Sequence, residues 1–240
     1  NPLLELCDIK ATAKICKNND ILLSVDNTFM SPYGQRPLEM GADITMQSST
    51  KSLSGHSDIL GGVLATNEKN LYEKLQFMLK ATGGVPSPFD NWLTLRSTKT
   101  LALRYQKATD NASDLANFLS EHPSVIRTIY PGLDSHPQHE IAVKQQLNPK
   151  GEVVFGSMLS IDVGDIGRRD EFLNKIEIFQ LAESLGSVES LVCVPFFMTH
   201  AALPEKTKLE MGLTETLIRL SVGIEDFDDL KLDLSNALNN

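Results

Sequence analysis

Apolar and polar positions follow two different periods along this chain, and the change from one to the other divides it. Between residues 3 and 18 the apolar Leu6, Ile9, Ala13 and Cys16 recur at helical spacing. Asn18-Asn19-Asp20 stops that pattern as a turn, and residues 21–25 form an apolar run of strand length, read as a buried strand. Ser31-Pro32-Tyr33-Gly34 predicts a loop, and residues 37–40 one helical turn before Gly41. Residues 44–47 and 61–66 predict two further strands, and Asn67 stands where it would cap a helix over residues 68–81. Strands separated by helices imply an α/β fold whose mainly parallel sheet is covered on both faces.

The glycine- and proline-rich stretch from Thr82 to Pro88 interrupts this alternation. A long helical pattern then runs over residues 89–121, with Leu93, Leu101, Leu115 and Phe118 among its apolar positions, and His122-Pro123 ends it. A helix of that length is suited to linking two domains. Beyond it the period shortens. Residues 125–130, 188–194 and 217–222 read as strands, and in residues 157–163 Met158, Ser160 and Asp162 alternate with Leu159, Ile161 and Val163 as in a half-buried strand. A helix is expected to start near residues 170–175, and residues 226–238 form a closing amphipathic helix. The expected organisation is an α/β portion over residues 1–103 and a smaller α+β domain over residues 104–240.

Composition narrows the classes. A chain of 240 residues with 41% hydrophobic residues can bury a sizeable core. A net charge of −9 without a long basic run argues against nucleic acid or an anionic membrane as partner, and no apolar run has membrane-spanning length. Cys7, Cys16 and Cys193 are scattered and odd in number, which fits the reduced thiols of a cytoplasmic protein. No signal-peptide pattern opens the chain, whose first residues are Asn1-Pro2.

Two charged residues fall just beyond predicted strands, Asp26 and Lys51, and in open α/β sheets ligands lie at the carboxyl ends of strands. This is the arrangement expected of a pyridoxal phosphate (PLP) site, with a lysine that bonds the cofactor and a buried aspartate whose charge is matched by the protonated ring nitrogen. The competing reading of Asp26 is a turn cap with Asn27 and Thr28. Ser48 and Thr50 flank Lys51 with hydroxyl donors suited to a phosphate, or to a turn of their own. In Gly55-His56-Ser57-Asp58 the histidine is expected to orient the loop. Arg219, inside the apolar run Leu217-Ile218-Arg219-Leu220, needs either an anionic ligand or a buried carboxylate. His136 and His139 are three apart but lack further ligands in sequence, so no metal is expected.

Several ordered motifs resemble one family. They are Asn1-Pro2, Val25-Asp26-Asn27-Thr28-Phe29, Ser48 to Lys51 with Gly55-His56-Ser57-Asp58, and Tyr130-Pro131-Gly132-Leu133 with Ser135-His136-Pro137. The set continues with Ala182-Glu183-Ser184-Leu185-Gly186, Met198-Thr199-His200 and Ile218-Arg219-Leu220-Ser221-Val222-Gly223. Together they resemble the PLP-dependent enzymes of cysteine and methionine metabolism over essentially the whole chain. The resemblance implies a fold of the aspartate-aminotransferase type (fold type I), with residues 1–103 as the C-terminal part of the PLP-binding large domain. It implies that Lys51 bonds PLP and acts as catalytic base, that Asp26 faces the ring nitrogen, that Asn1 contacts the ring hydroxyl, and that Ser48 and Thr50 contact the phosphate. Arg219 would bind the substrate α-carboxylate with Ser184 nearby, and Glu183 would accept a hydrogen bond from the distal amino group of cystathionine.

Glu183 and Ser135-His136-Pro137-Gln138-His139 are most similar to the cystathionine γ-lyase branch, which implies transsulfuration toward cysteine by a cytoplasmic homotetramer built as a dimer of dimers. The alternatives are cystathionine γ-synthase, methionine γ-lyase or, in another class, a non-catalytic chain with an assembly role. Ser49, Ser52, Ser54 and Ser187 depart from the residues common in the family. The family's glycine-rich phosphate loop, its ring-stacking tyrosine and the tyrosine–arginine pair lent to a neighbouring subunit correspond to positions upstream of Asn1, so this stretch alone is expected to hold PLP poorly.

Overall fold

The computed structural model describes residues 2–239. Along the chain run α1 (Ile9–Asn18), β1 (Ser24–Asp26), α2 (Ser31–Gly34), β2 (Ile44–Ser48), β3 (Gly62–Ala65), α3 (Lys69–Thr82), α4 (Pro88–Thr98), α5 (Leu101–Ser120), β4 (Arg127–Ile129), α6 (His139–Gln145), β5 (Met158–Asp162), α7 (Ile166–Lys175), β6 (Gln180–Leu181), β7 (Leu191–Cys193), α8 (Glu205–Glu210), β8 (Leu217–Ser221) and α9 (Phe227–Leu238). They fall into two compact units, one of residues 6–103 with 140–154, the other of residues 104–139 and 155–239 with 2–5. Among the described residues no helix is long and apolar enough to cross a membrane.

In the first unit β1 pairs with β2 in parallel, from Ser24 opposite Ile44 to Asp26 opposite Met46. β3 joins the other edge of β2 antiparallel, so the sheet is mixed. Covering on both faces, expected from the strand–helix alternation, is not found among the described residues: β3 is exposed at all four positions, and Ile21 and Leu22 are 57% and 61% exposed. The apolar run that predicted a buried strand therefore lies before β1, which keeps only its last residues in the ladder. α1 begins later than its apolar period suggests because the Asp8 carboxylate accepts from Ala11 N–H at 2.9 Å and fixes the helix start there. Asn67 does not cap α3. The helix follows Glu68, and Thr66 Oγ1 instead accepts from Glu68 N–H at 3.1 Å. The single helix expected over residues 89–121 is two helices. Only Lys99 and Thr100 separate them, and around this break the Thr98 and Thr100 hydroxyls donate to Leu95 O and Ser97 O and compete with the helical ladder.

The second unit is built on a five-stranded sheet in the order β4-β5-β8-β7-β6. Neighbours run antiparallel apart from β6 and β7, which are parallel. Its core is one contiguous cluster: Leu159 and Ile161 of β5, Ile218 and Leu220 of β8 and Val192 of β7 pack with Leu115 and Leu119 of α5, Phe172 of α7 and Leu230 and Leu234 of α9. Each such side chain removed from water contributes about 1.5–3 kcal/mol, so this cluster anchors the unit. The alternation expected of a half-buried β5 holds in the direction of its side chains, but both faces are buried. The second face tolerates polar residues because each has a partner. Ser160 Oγ donates to Pro2 O at 2.7 Å, and the Asp162 carboxylate accepts from Gly164 N–H (2.9 Å), Thr216 Oγ1 (2.6 Å) and Thr214 Oγ1 (3.0 Å).

Two histidines of this unit work as bases inside turns. His122 Nδ1 accepts from Ser124 N–H and His136 Nδ1 from Gln138 N–H, both at 3.2 Å. Burial is the main reason that both rings titrate below the ordinary imidazole value. Above about pH 6.5 folded and unfolded chains both hold neutral rings and nothing is lost. Below it the unfolded chain binds protons first, so folding weakens. The urea midpoint is expected to fall between about pH 7.5 and about pH 5.5, with a shallower slope in the His122→Gln/His136→Gln double variant. An equal slope in that variant would remove the histidines as the cause.

Candidate active site

Lys51 lies in the turn Ser49–Leu53 that leaves β2 directly. The turn is kinked at Lys51, whose backbone (φ −86°, ψ −138°) is not helical. Ser54 N–H donates to Ser49 O at 3.0 Å and Gly55 N–H to Lys51 O at 2.7 Å, so the turn closes around a half-buried lysine. The loop beyond it is fixed by His56: Ser54 O can only accept, so the ring nitrogen 2.6 Å away is Nδ1–H, which donates to it.

Asp26 is the last residue of β1 and lies opposite Met46 of β2. Its carboxylate accepts from Thr28 N–H at 3.0 Å and is exposed. The exposure corrects the expectation of a buried carboxylate, because the strand end carries no covering layer among the described residues, while the Thr28 contact is the turn cap of the competing reading. From sequence Thr28 is named only as a partner in a turn cap of Asp26, and in the structure it also ties the two strand ends together: its Oγ1 accepts from Ser48 N–H at 2.9 Å. A hydroxyl directly after the strand-ending Asp26-Asn27 was the available signal. Thr50 Oγ1 accepts from Gly61 N–H at 3.0 Å, so its hydroxyl is engaged by the chain itself. An added Cβ at Gly61 would come within 2.6 Å of Ser49 Oγ, so the serine side chain would have to turn away. Asp26, Ser48, Thr50 and Lys51 are thus gathered at the carboxyl ends of two parallel neighbours, β1 and β2.

Arg219, Glu183 and Ser184 belong to the second unit. Arg219 is 4% exposed and stands on the polar face of the sheet, opposite Ser160 of β5 and Cys193 of β7. Its Nη2 donates to Glu183 O at 3.2 Å. Among the described residues no carboxylate forms an ion pair with it. Burial pushes the Cys193 thiol up despite the pull of the neighbouring guanidinium, so the residue beside Arg219 is a neutral thiol. His200 titrates below its ordinary value, through burial first and then through the charges of Arg219 and Lys208. Glu183 is exposed and Ser184 half-buried. The contact expected of Asn1 lies outside the described residues. His136 and His139 serve turns, and among the described residues no cluster of metal-ligating side chains forms.

A lysine, a carboxylate and hydroxyls at adjacent strand ends are a donor set that fits PLP: an amine for its aldehyde, an anion for its ring nitrogen and donors for its phosphate. The family model described as Cys/Met metabolism PLP-dependent enzyme matches residues 1–239. The chain belongs to this family.

Among its relatives in this family, cystathionine γ-lyase of Dictyostelium discoideum is 53% identical over 238 residues, covering 99% of this chain and 60% of the relative. Among solved structures, cystathionine γ-lyase from Lactobacillus plantarum complexed with L-serine superposes with a TM-score of 0.93 at 41% identity, covering 99% of this chain and 61% of that one. Cystathionine γ-synthase from Xanthomonas oryzae pv. oryzae in complex with cystathionine gives 0.94 at 39% identity, covering 99% and 60%. The chain therefore spans about 60% of the length of the relatives it matches.

Proposed function

We propose that the full-length protein is a PLP-dependent carbon–sulfur lyase acting on L-cystathionine, with water, to give L-cysteine, 2-oxobutyrate and ammonia. The observation that carries this reading is Lys51 on a kinked turn at the carboxyl end of β2, beside Asp26 at the end of the parallel β1. Bound PLP supplies an electron sink for negative charge arising at the substrate Cα. Lys51 Nζ takes the proton from Cα and later one from Cβ, acting as a positioned base. Asp26 balances positive charge on the ring nitrogen, and Ser48, with Thr50 and Asn1, completes the hold on the cofactor.

Arg219 clamps the substrate α-carboxylate as a two-pronged donor. Its burial without an acidic partner among the described residues supports that role, because such a charge is costly unless an anion arrives. Ser184 assists it, and the exposed Glu183 accepts from the distal amino group. The reading includes a cytoplasmic homotetramer. Phe77, Phe89, Trp92 and Leu95, exposed on α3 and α4, support covering of that surface by further protein.

The fit to a γ-synthase structure keeps a second reading open within the same chemistry, and product analysis separates the possibilities. Offered cystathionine, the full-length PLP-loaded protein is expected to release cysteine and 2-oxobutyrate. Homocysteine with pyruvate would mean a β-lyase. Cystathionine made from cysteine and an activated homoserine would mean a synthase, 2-oxobutyrate with methanethiol from methionine a methionine γ-lyase, and no product from any of them a non-catalytic chain.

A further inference from the structure

Glu183 and Ser184 lie on a segment between β6 and β7 that has little regular structure of its own. What shapes it is the end of β8 and the residues just after it. Arg219 Nη2 donates to Glu183 O (3.2 Å), and Gly186 N–H donates to Ser221 Oγ (2.8 Å). Further along, Ile224 N–H donates to Val188 O (2.9 Å), and Ser190 donates to the Glu225 carboxylate through N–H (2.6 Å) and Oγ (2.9 Å). Gly223 is obligatory in this clamp, since a Cβ would collide with Val188 O.

Ser221 follows Arg219 by two positions on β8 and so projects from the same face of the sheet. It is 2% exposed, and the amide it accepts from belongs to Gly186, whose φ of +75° turns the chain. The segment ahead of that turn carries Glu183 and Ser184. We propose that Ser221 is a positioning residue for substrate recognition: through Gly186 it holds the segment that presents Glu183 and Ser184 beside Arg219. The inference rests on the reading of Arg219 as the carboxylate clamp. Two consecutive same-face residues of one strand then have separate tasks, Arg219 to bind substrate and Ser221 to hold the residues that judge it.

The test uses the full-length PLP-loaded protein. Ser221→Ala is expected to raise KM for cystathionine about tenfold and to change kcat by less than about threefold. The visible absorbance of bound cofactor stays unchanged, and exchange of the Gly186 amide, measured without substrate, accelerates. Ser221→Thr keeps a hydroxyl and returns KM to within about threefold of the parent. Ser190→Ala, which loosens the far end of the same segment, lowers the melting temperature without moving KM.

If Ser221→Ala fails to fold, Ser221→Cys, a poorer acceptor of similar shape, carries the same expectation. The inference is overturned if KM stays within about twofold of the parent in Ser221→Ala, or if Ser190→Ala raises it equally. Arg219→Lys, measured in parallel, separates the two levels. A raised KM there with an unmoved Ser221→Ala overturns the inference alone, whereas an unmoved KM in both overturns the carboxylate clamp as well.

Discussion

Replacing Lys51 with alanine in the full-length protein is expected to abolish the visible absorbance of lysine-bound PLP and to lower turnover of cystathionine by at least about a thousandfold. The expectation comes from where the residue stands. A surface lysine is one of many interchangeable cations, but Lys51 is half-buried in a turn whose backbone departs from helix at that residue alone, at the end of a strand paired with the one that ends in Asp26. On the proposed reading, losing its amine removes both the covalent anchor and the base that moves the Cα proton. Borohydride treatment followed by mass analysis gives a direct reading: the parent should carry the reduced cofactor on the peptide containing Lys51, and Lys51→Ala should carry none. A cofactor adduct of undiminished yield on another lysine, with turnover preserved, would defeat the assignment. Lys51→Arg is expected to behave like alanine, because a guanidinium stays protonated and does not condense with an aldehyde.

The second large effect concerns the scaffold. Asp233→Ala is expected to lower unfolding free energy by roughly 3–5 kcal/mol. Asp233 projects from α9 at 7% exposure, and its carboxylate accepts from the backbone N–H groups of Glu177 (2.8 Å), Ile178 (2.9 Å) and Phe179 (3.3 Å). These amides lie between α7 and β6, where no strand partner serves them, so one carboxylate does the work of a short ladder. Alanine leaves the donors without an acceptor beside Phe179, itself 2% exposed. Against a total stability of about 5–15 kcal/mol this is a large fraction. Urea unfolding of parent and variant at one pH measures it, and Asp233→Asn, which retains one acceptor oxygen, should fall between them. A loss below about 1 kcal/mol would show that water replaces the carboxylate readily.

How much of this could be read from the residue pattern differs between the two units. In the second unit the alternation of Met158, Ser160 and Asp162 with Leu159, Ile161 and Val163 announces a strand with two unlike faces, and the structure buries both. Burial of the polar face was not legible because it depends on long-range partners such as Pro2 O for Ser160 and Thr214 and Thr216 for Asp162. In the first unit Ile21 and Leu22 read as buried by composition and are exposed, since hydrophobicity states a preference for cover but cannot supply it. Helix boundaries failed where side chains compete for the backbone, as at Asp8 and in the hydroxyl run before α5. The Ser48–Lys51 motif was legible because a strand, hydroxyls and a lysine are contiguous. Thr28 and Ser221, which act across 20 and 35 positions, leave no local periodic trace.

The two unlike faces of β8 also bear on how this protein can change. Ile218 and Leu220 point into the contiguous core, while Arg219 and Ser221 point away from it. Substitutions at the even-numbered positions are constrained by volume alone, and their cost appears as a lower melting point. Substitutions at the odd-numbered positions spare that core but disturb a buried polar face, and on the proposed reading of Arg219 they alter which molecules are accepted. A library randomised at 219, 221 and their cross-strand neighbours 158, 160, 191 and 193, with 218 and 220 held constant and the variants sorted first for folding, would explore substrate preference on this scaffold.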